Sequence, residues 1–374
     1  MPTRSFFYLD TRRTWHQVNI SNEKLLGRGG AGHVYALSDD KVVKKYLPGF
    51  LTDKKREELR DKITIMAFKH QQLAALKEQP LAWPLGPLIE TERDLAWLRA
   101  QPKPQLDSNE FCGFVMQRVR DFNGLEDVIS QHTLGARSIV GSDRVRISRR
   151  IAESVQLCHD ASFVVGDINT RNIVVSAGTL LPTIIDCDSF QYGKYAPELG
   201  TIDFASPQLL RRLEANNNKF EGLLRDVNDD CHALAVLFFM MFMNARHPFD
   251  CANAPPLVSA RSKAIIARDF PYAARSKSRP PTSAEADRYS LLPDAIKELF
   301  EKQLFRGETV TAQAWIEPLN GFAGSADAKA VMPPVRERAR VQVQPAKMSA
   351  KVVVTIVVLV AIIILLIAIA ANSQ

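Results

Sequence analysis

Glycines at 27, 29 and 32, followed by Val34, give the run Gly27-Arg28-Gly29-Gly30-Ala31-Gly32-His33-Val34 the spacing G-x-G-x-x-G-x-V. Without Cβ atoms such a turn can bring backbone N–H groups against phosphate oxygens. Lys44 lies downstream and carries an ammonium that can neutralise phosphate charge, provided a carboxylate holds it in place. Glu57 and Glu58 are the candidates for that carboxylate, while Lys45 should face solvent because strand neighbours alternate. Farther along, Asp167 and Asn172 stand five apart, and Asp186 and Asp188 follow 14–16 residues after Asn172. Carboxylate and amide oxygens are hard ligands suited to Mg²⁺, with Mn²⁺ as a substitute. The chemistry in view is phosphoryl transfer from a nucleotide.

Elements of a particular kind must position these groups. G-x-G-x-x-G also marks dinucleotide sites, but those need a helix directly after the loop. Here the loop runs into His33–Leu37, then Ser38-Asp39-Asp40, then Lys41–Tyr46, which reads as strand, turn, strand. A charged helical segment, Leu51–Phe68, follows; its plainest reading pairs Glu58 with Lys62 on the surface. Asp167 comes after the apolar run Phe163–Val165, and Ile173–Val175 after Asn172. Asp186 ends the strand-like run Thr183–Ile185 and fits a metal ligand best. Asp188, opening Asp188-Ser189-Phe190, can also fill that role. Helical rhythm dominates from about 143, with Val145, Ile147, Ile151, Val155 and Leu157 spaced along Asp143–His159. Asp230–Met243 is almost wholly apolar yet too short to span a bilayer, so a buried core helix is expected. The pattern predicts an α+β fold of two lobes, a small β-rich one and a larger helical one, with a cleft between them.

With these residues in line, the chain resembles the protein-kinase family over about residues 20–320, and more closely its bacterial, eukaryotic-like Ser/Thr members. Gly200-Thr201-Ile202-Asp203-Phe204-Ala205-Ser206-Pro207-Gln208 looks like the end of an activation segment. Asp230-Cys231-His232-Ala233-Leu234-Ala235 looks like the start of the central helix, His247-Pro248-Phe249 like the motif after it, and Thr311-Ala312-Gln313-Ala314-Trp315 like the final helix. Met116 to Val119 falls at the adenine-binding hinge. The resemblance implies ATP as phosphate donor, Asp167 as the group that orients the attacking hydroxyl and takes its proton, and Asn172 with Asp186 or Asp188 as Mg²⁺ ligands. It also implies protein substrates and an opposing metal-dependent phosphatase.

The departures are specific. The HRD triplet reads Val165-Gly166-Asp167, so the arginine that meets a phosphorylated activation loop is absent. Asn169 replaces the usual lysine, and Arg171 can supply that positive charge instead. DFG becomes Asp186-Cys187-Asp188 or Asp188-Ser189-Phe190. Gln208 and Thr309 stand where a glutamate–arginine ion pair is expected, so both charges are lost together. An active kinase for Ser/Thr hydroxyls is the first reading. A pseudokinase scaffold that binds nucleotide and recruits partners is the alternative, and a small-molecule phosphotransferase is a third.

The 374 residues carry 48 Lys and Arg against 41 Asp and Glu, a net charge of +7 that gives no reason to expect nucleic acid as a partner. Five scattered cysteines without a CxxC pair fit reduced thiols rather than a disulfide framework. No zinc-ligand spacing occurs among the histidines, and Met1–Asn19 has no signal-peptide core. Val352–Ala371 is 20 residues with Thr355 the single polar one. As a helix it would be about 30 Å long, enough to cross a bilayer. Arg336, Arg338, Arg340, Lys347 and Lys351 precede it and Asn372-Ser373-Gln374 follow it. The positive-inside bias predicts a single-pass anchor in the cytoplasmic (inner) membrane, with the kinase-like part in the cytoplasm and the short tail outside. Gly321–Lys351 reads as a juxtamembrane linker.

Overall fold

The computed structural model describes residues 4–72, 81–104, 106–131, 133–134, 137–254, 257–325 and 328. Its N-terminal part is a seven-stranded antiparallel sheet made of β1 (Ser5–Leu9), β2 (Trp15–Val18), β3 (Leu25–Arg28), β4 (Gly32–Ala36), β5 (Lys41–Tyr46), β6 (Pro84–Thr91) and β7 (Phe111–Gln117). The strand order is β2-β1-β6-β7-β5-β4-β3. β4 and β5 form the expected hairpin, with Val34 opposite Lys44. Its turn is tied by the Leu37 N–H donating to the Lys41 carbonyl at 3.0 Å and the Ser38 hydroxyl donating to Asp40 at 2.6 Å. On β5's other side, Gly113 of β7 opposes Lys45. A Cβ on Gly113 would meet the Lys44 carbonyl oxygen at 2.1 Å, so glycine is what lets β7 lie this close.

The sheet reaches upstream of residue 20, where the resemblance to protein kinases begins. Phe7, Leu9 and Trp15 pack with Ile89 and Leu98 beneath β1 and β2. These strands are short and a charged turn, Asp10 to Arg13, separates them, so their apolar pattern is too brief to register in sequence. One long helix, α1 (Asp53–Gln72), covers the sheet with Leu59, Ile63 and Met66. The buried Trp83 indole donates to the Met66 carbonyl at 3.0 Å.

The C-terminal part is helical. α2 (Gly141–Asp160), α3 (Val227–Phe242) and α4 (Ala312–Ala323) surround the main core. α3 is buried almost throughout, as its apolar run requires. A capping box starts it: Asp226 accepts from the Asp229 N–H at 3.0 Å, and Asp229 accepts from the Asp226 N–H at 3.0 Å. α4 carries the folded region past 320 into the stretch read as linker, because Phe322 is buried against Phe242 with ring centroids 5.8 Å apart. The β-rich N-terminal region and helical C-terminal region are compatible with a protein-kinase fold. Among the described residues no helix is long and apolar enough to cross a membrane. Most of the expected linker, and the whole of Val352–Ala371, lie outside the described residues.

Trp315 is fully buried, 5.3 Å from Phe238 and 5.0 Å from Phe300 by ring centroid. Trp315→Ala should destabilise the protein by about 3–5 kcal/mol, the cost of a large cavity. Urea unfolding with an unchanged denaturant slope would check it.

Candidate active site

Between the sheet and the helices lies a cleft of about 1350 Å³, ample for a nucleotide. Gly27, Gly29, Gly32, Val34, Met116 and Val119 line it, together with Lys44, Asp167, Arg171, Asn172, Asp186 and Asp188. Neither Glu57 nor Glu58 belongs to this lining. The glycine turn closes on itself through the Gly29 N–H, which donates to the Gly32 carbonyl at 2.9 Å. A Cβ on Gly32 would meet the Lys45 carbonyl oxygen at 2.5 Å, so the loop can fold over β5 only with glycine at that position.

Lys44 is buried, at 8% exposure, and its ammonium joins both candidate metal ligands. It donates to Asp186 Oδ1 at 2.5 Å and to both oxygens of Asp188 at 2.9 Å. The Tyr46 hydroxyl donates to Asp188 Oδ2 at 2.8 Å. Burial alone would lower the Lys44 ammonium, but the charges of Asp188 and Asp186 outweigh it and hold it above the ordinary lysine value. The two carboxylates are driven apart. Burial works against ionised Asp188, yet Lys44, Tyr46 and Lys62 overcome it and hold Asp188 low. Crowding and the Asp188 charge push Asp186 up. Asp186 sits in the left-handed region, φ 62° and ψ 36°, a conformation an aspartate tolerates at modest cost. The Ser189 N–H and hydroxyl fix that turn by donating to the Asp186 carbonyl at 2.9 and 2.8 Å.

Asp167 opens the catalytic loop. The Asn172 amide donates to its Oδ2 at 3.0 Å and to its carbonyl at 2.9 Å, while the Thr201 hydroxyl donates to its Oδ1 at 2.9 Å. Asn169 folds the loop inward, accepting from the N–H groups of Arg171 and Asn172 at 2.8 and 3.1 Å. The Arg171 side chain stays exposed at the cleft. From α3, Asp230 grips the strand that leads in: it accepts from the N–H of Val165 at 2.7 Å, from that of Gly166 at 2.8 Å and from His159 Nε2 at 2.9 Å. Gly166 replaces the HRD arginine at φ 78°, and a Cβ there would meet Pro197 Cγ at 2.6 Å. Arg225, 3% exposed, places its Cγ 3.7 Å from such a Cβ, and its guanidinium donates to the carbonyls of Leu223 and Leu199. Gln208 is exposed, and Thr309 donates to Asn228 at 3.0 Å in place of any ion pair.

Helix α1 departs from expectation. Neither Glu57 nor Glu58 reaches Lys44: both are exposed, Glu58 lying 4.0 Å from Lys54 and Glu57 3.8 Å from Arg60. Helix phase explains this. With Leu59, Ile63 and Met66 buried, the inward face continues through Lys62 and turns Glu58 outward. Lys62 is only 2% exposed. Burial pushes its ammonium down to about 8, against the opposing pull of Asp188 and Glu198. Two turns back, Lys55 forms an ion pair with Glu198 of the segment ahead of Gly200. Sequence reasoning missed Lys62, Tyr46 and Arg225. The spacing of Lys62 from Leu59 and Met66 was the available signal for the first.

The donor set fits a Mg²⁺ ion. Asp186 offers a carboxylate whose side chain is 40% exposed, and the Asn172 amide oxygen is left over once its nitrogen has bonded Asp167. Among the described residues no cluster of three or more His, Cys, Asp or Glu could cage a metal. That is the pattern of an ion completed by phosphate and water rather than by protein alone.

A nucleotide-sized cleft under a glycine loop, with buried Lys44 and an Asp–Asn–Asp set, is compatible with a protein-kinase site. No protein-family model matches the chain. It is 26% identical over 318 residues to Protein kinase YegI of Escherichia coli O157:H7, covering 79% of this chain and 43% of that protein. Against Protein kinase YegI of Escherichia coli strain K12 the identity is 26% over 320 residues, covering 79% and 44%. The chain thus spans less than half the length of these curated relatives. The similarity supports a bacterial protein-kinase family for this chain.

Proposed function

We propose that the chain is a membrane-tethered, ATP-dependent protein kinase that passes the γ-phosphate to Ser or Thr hydroxyls of protein substrates. The observation that carries this reading is the convergence of Lys44, Asp167, Asn172 and Asp186 on one cleft under the glycine loop. N–H groups of Gly27–Gly32 would meet the phosphates and Lys44 would neutralise them. Asp186 and Asn172 would hold Mg²⁺, which when bound neutralises charge on the phosphate oxygens. Asp167 orients the acceptor hydroxyl and takes its proton. The Thr201 hydroxyl, 2.9 Å from Asp167 Oδ1, already makes the contact that an aliphatic acceptor would make. The test is γ-phosphate transfer by the full-length chain with ATP and Mg²⁺ or Mn²⁺.

One observation favours the alternative, a nucleotide-binding scaffold that recruits partners: Lys44 is bonded to both aspartates, so it must be released before it can serve phosphate. Under that reading nucleotide stabilises the protein but no phosphate moves.

Tethering to the cytoplasmic membrane rests on the apolar run Val352–Ala371 and the basic residues before it. The linker would keep the catalytic part near the bilayer and raise the effective concentration of substrates held there. Deleting 346–374 should move the protein from the membrane to the soluble fraction on cell fractionation and reduce substrate phosphorylation in cells. Unchanged phosphorylation would refute the role of the tether.

A further inference from the structure

We infer that Asp188 is the positioning carboxylate of Lys44, with Lys62 of helix α1 as its second counter-ion, so that the anchor of the phosphate-binding lysine sits on the metal-ligand turn instead of on the helix. The inference rests on the kinase reading and adds a division of labour between the two aspartates.

Their surroundings separate them. Both Asp188 oxygens are taken: Oδ1 accepts from Lys44, and Oδ2 from Lys44 and from the Tyr46 hydroxyl. Its side chain is 7% exposed. Little of it is left to offer a metal. Asp186 bonds Lys44 through Oδ1, keeps 40% of its side chain exposed and lines the cleft, so it is the more accessible of the two. When Lys44 turns to phosphate and Asp186 to Mg²⁺, Asp188 must stay buried and charged. Stranding a buried charge is costly. Lys62 meets that need: it is buried on the inward face of α1, that helix packs against the Cys187–Ser189 turn, and Asp188 is prominent among the charges acting on it.

A carboxylate on that face of α1 would instead confront Asp188 and Glu198. The helix therefore brings positive charge to the site, Lys62 toward Asp188 and Lys55 to Glu198. The four groups Lys44, Lys62, Asp186 and Asp188 sum to zero charge, which offsets the cost of burying Lys44, Lys62 and Asp188. Cys187, between the aspartates, is buried and fixes the turn in the core with Phe190. The metal ligand and the lysine anchor are thereby set by one short segment.

The test is titration of the full-length chain with a fluorescent ATP analogue (mant-ATP), in EDTA and in Mg²⁺. Asp186→Asn should bind as the wild type does in EDTA and lose the tightening that Mg²⁺ brings. Asp188→Asn should bind about tenfold more weakly in both conditions, the scale of losing a hydrogen bond between charged groups. Asp188→Gly should be equally weak, and adding Lys62→Glu should restore most of the affinity by returning a carboxylate from the helix. If Asp188→Asn does not fold, Asp188→Asn with Lys62→Met removes both buried charges and should show the same weakness in EDTA. A loss confined to Mg²⁺ in the Asp188 variants, or no recovery with Lys62→Glu, would overturn the inference while the kinase reading stands. Wild type that binds no nucleotide in either condition would overturn both.

Discussion

Asp167→Ala is expected to lower γ-phosphate transfer by about 10²–10⁴-fold, the usual contribution of a positioned proton acceptor. Nucleotide affinity should hardly change, because the glycine loop, Lys44 and the hinge residues Met116 and Val119 lie elsewhere along the cleft. The fall should therefore appear in kcat and not in KM for ATP. Alanine also frees the Asn172 amide, which now donates to Asp167 Oδ2 at 3.0 Å, so Asp167→Asn is the cleaner partner experiment. It keeps the shape and removes the proton acceptor. Both variants should be inactive with normal thermal unfolding, as measured by radiolabel transfer beside a melting curve. Transfer that survives in both would remove Asp167 from the reaction. Nucleotide-dependent stabilisation without transfer in the wild type would favour the scaffold.

The grouping of Asp167, Asn172 and Asp186 on one cleft was legible because it depends on short-range spacing. Asp167 and Asn172 are five apart on one loop, and Asp186 ends a strand, so sequence order alone brings them near each other. The β4–β5 hairpin was legible for the same reason, since its turn is local and its strands alternate. The buried helix α3 announced itself by composition. What stayed hidden depended on phase or on distance in the chain. Glu58 and Lys62 are four apart, and which of them faces Lys44 is decided by how α1 rotates to bury Leu59, Ile63 and Met66. Charge marks Glu57 and Glu58 in the sequence, but the burial of Leu59, Ile63 and Met66 turns them to the outer face. Arg225 reaches the Gly166 region from far along the chain, with no local pattern to mark it. β1 and β2 escaped because their strands are four or five residues long around a charged turn. The end of α4 escaped because Gly321 and the small residues after it resemble a linker, although Phe322 closes on the core.

Asp230→Ala should be the most destabilising single change near the site. The carboxylate is 1% exposed and accepts three hydrogen bonds, from the N–H groups of Val165 and Gly166 and from His159. Removing it leaves two backbone donors and an imidazole without an acceptor, at a cost of about 3–5 kcal/mol once relaxation is allowed for. Asparagine is no conservative substitute, because each Asp230 oxygen faces a donor and the new NH₂ group would oppose one of them. Both variants should unfold at lower urea concentration, alanine the more so. The consequence for activity follows from what Asp230 holds. Val165 and Gly166 lead directly into Asp167, so loosening their N–H groups lets the proton acceptor drift from its position over the cleft. A displacement of about 1 Å can cost about a hundredfold in rate. The prediction is a reduced kcat at a temperature where the variant is still folded, with KM for ATP held, because Lys44 and the glycine loop belong to the sheet and do not touch α3. A variant as active per folded molecule as the wild type would mean that the loop keeps its shape unaided. The link between the core of the helical region and the reacting carboxylate would then have to run instead through Thr201 and Asn169, which also bond Asp167.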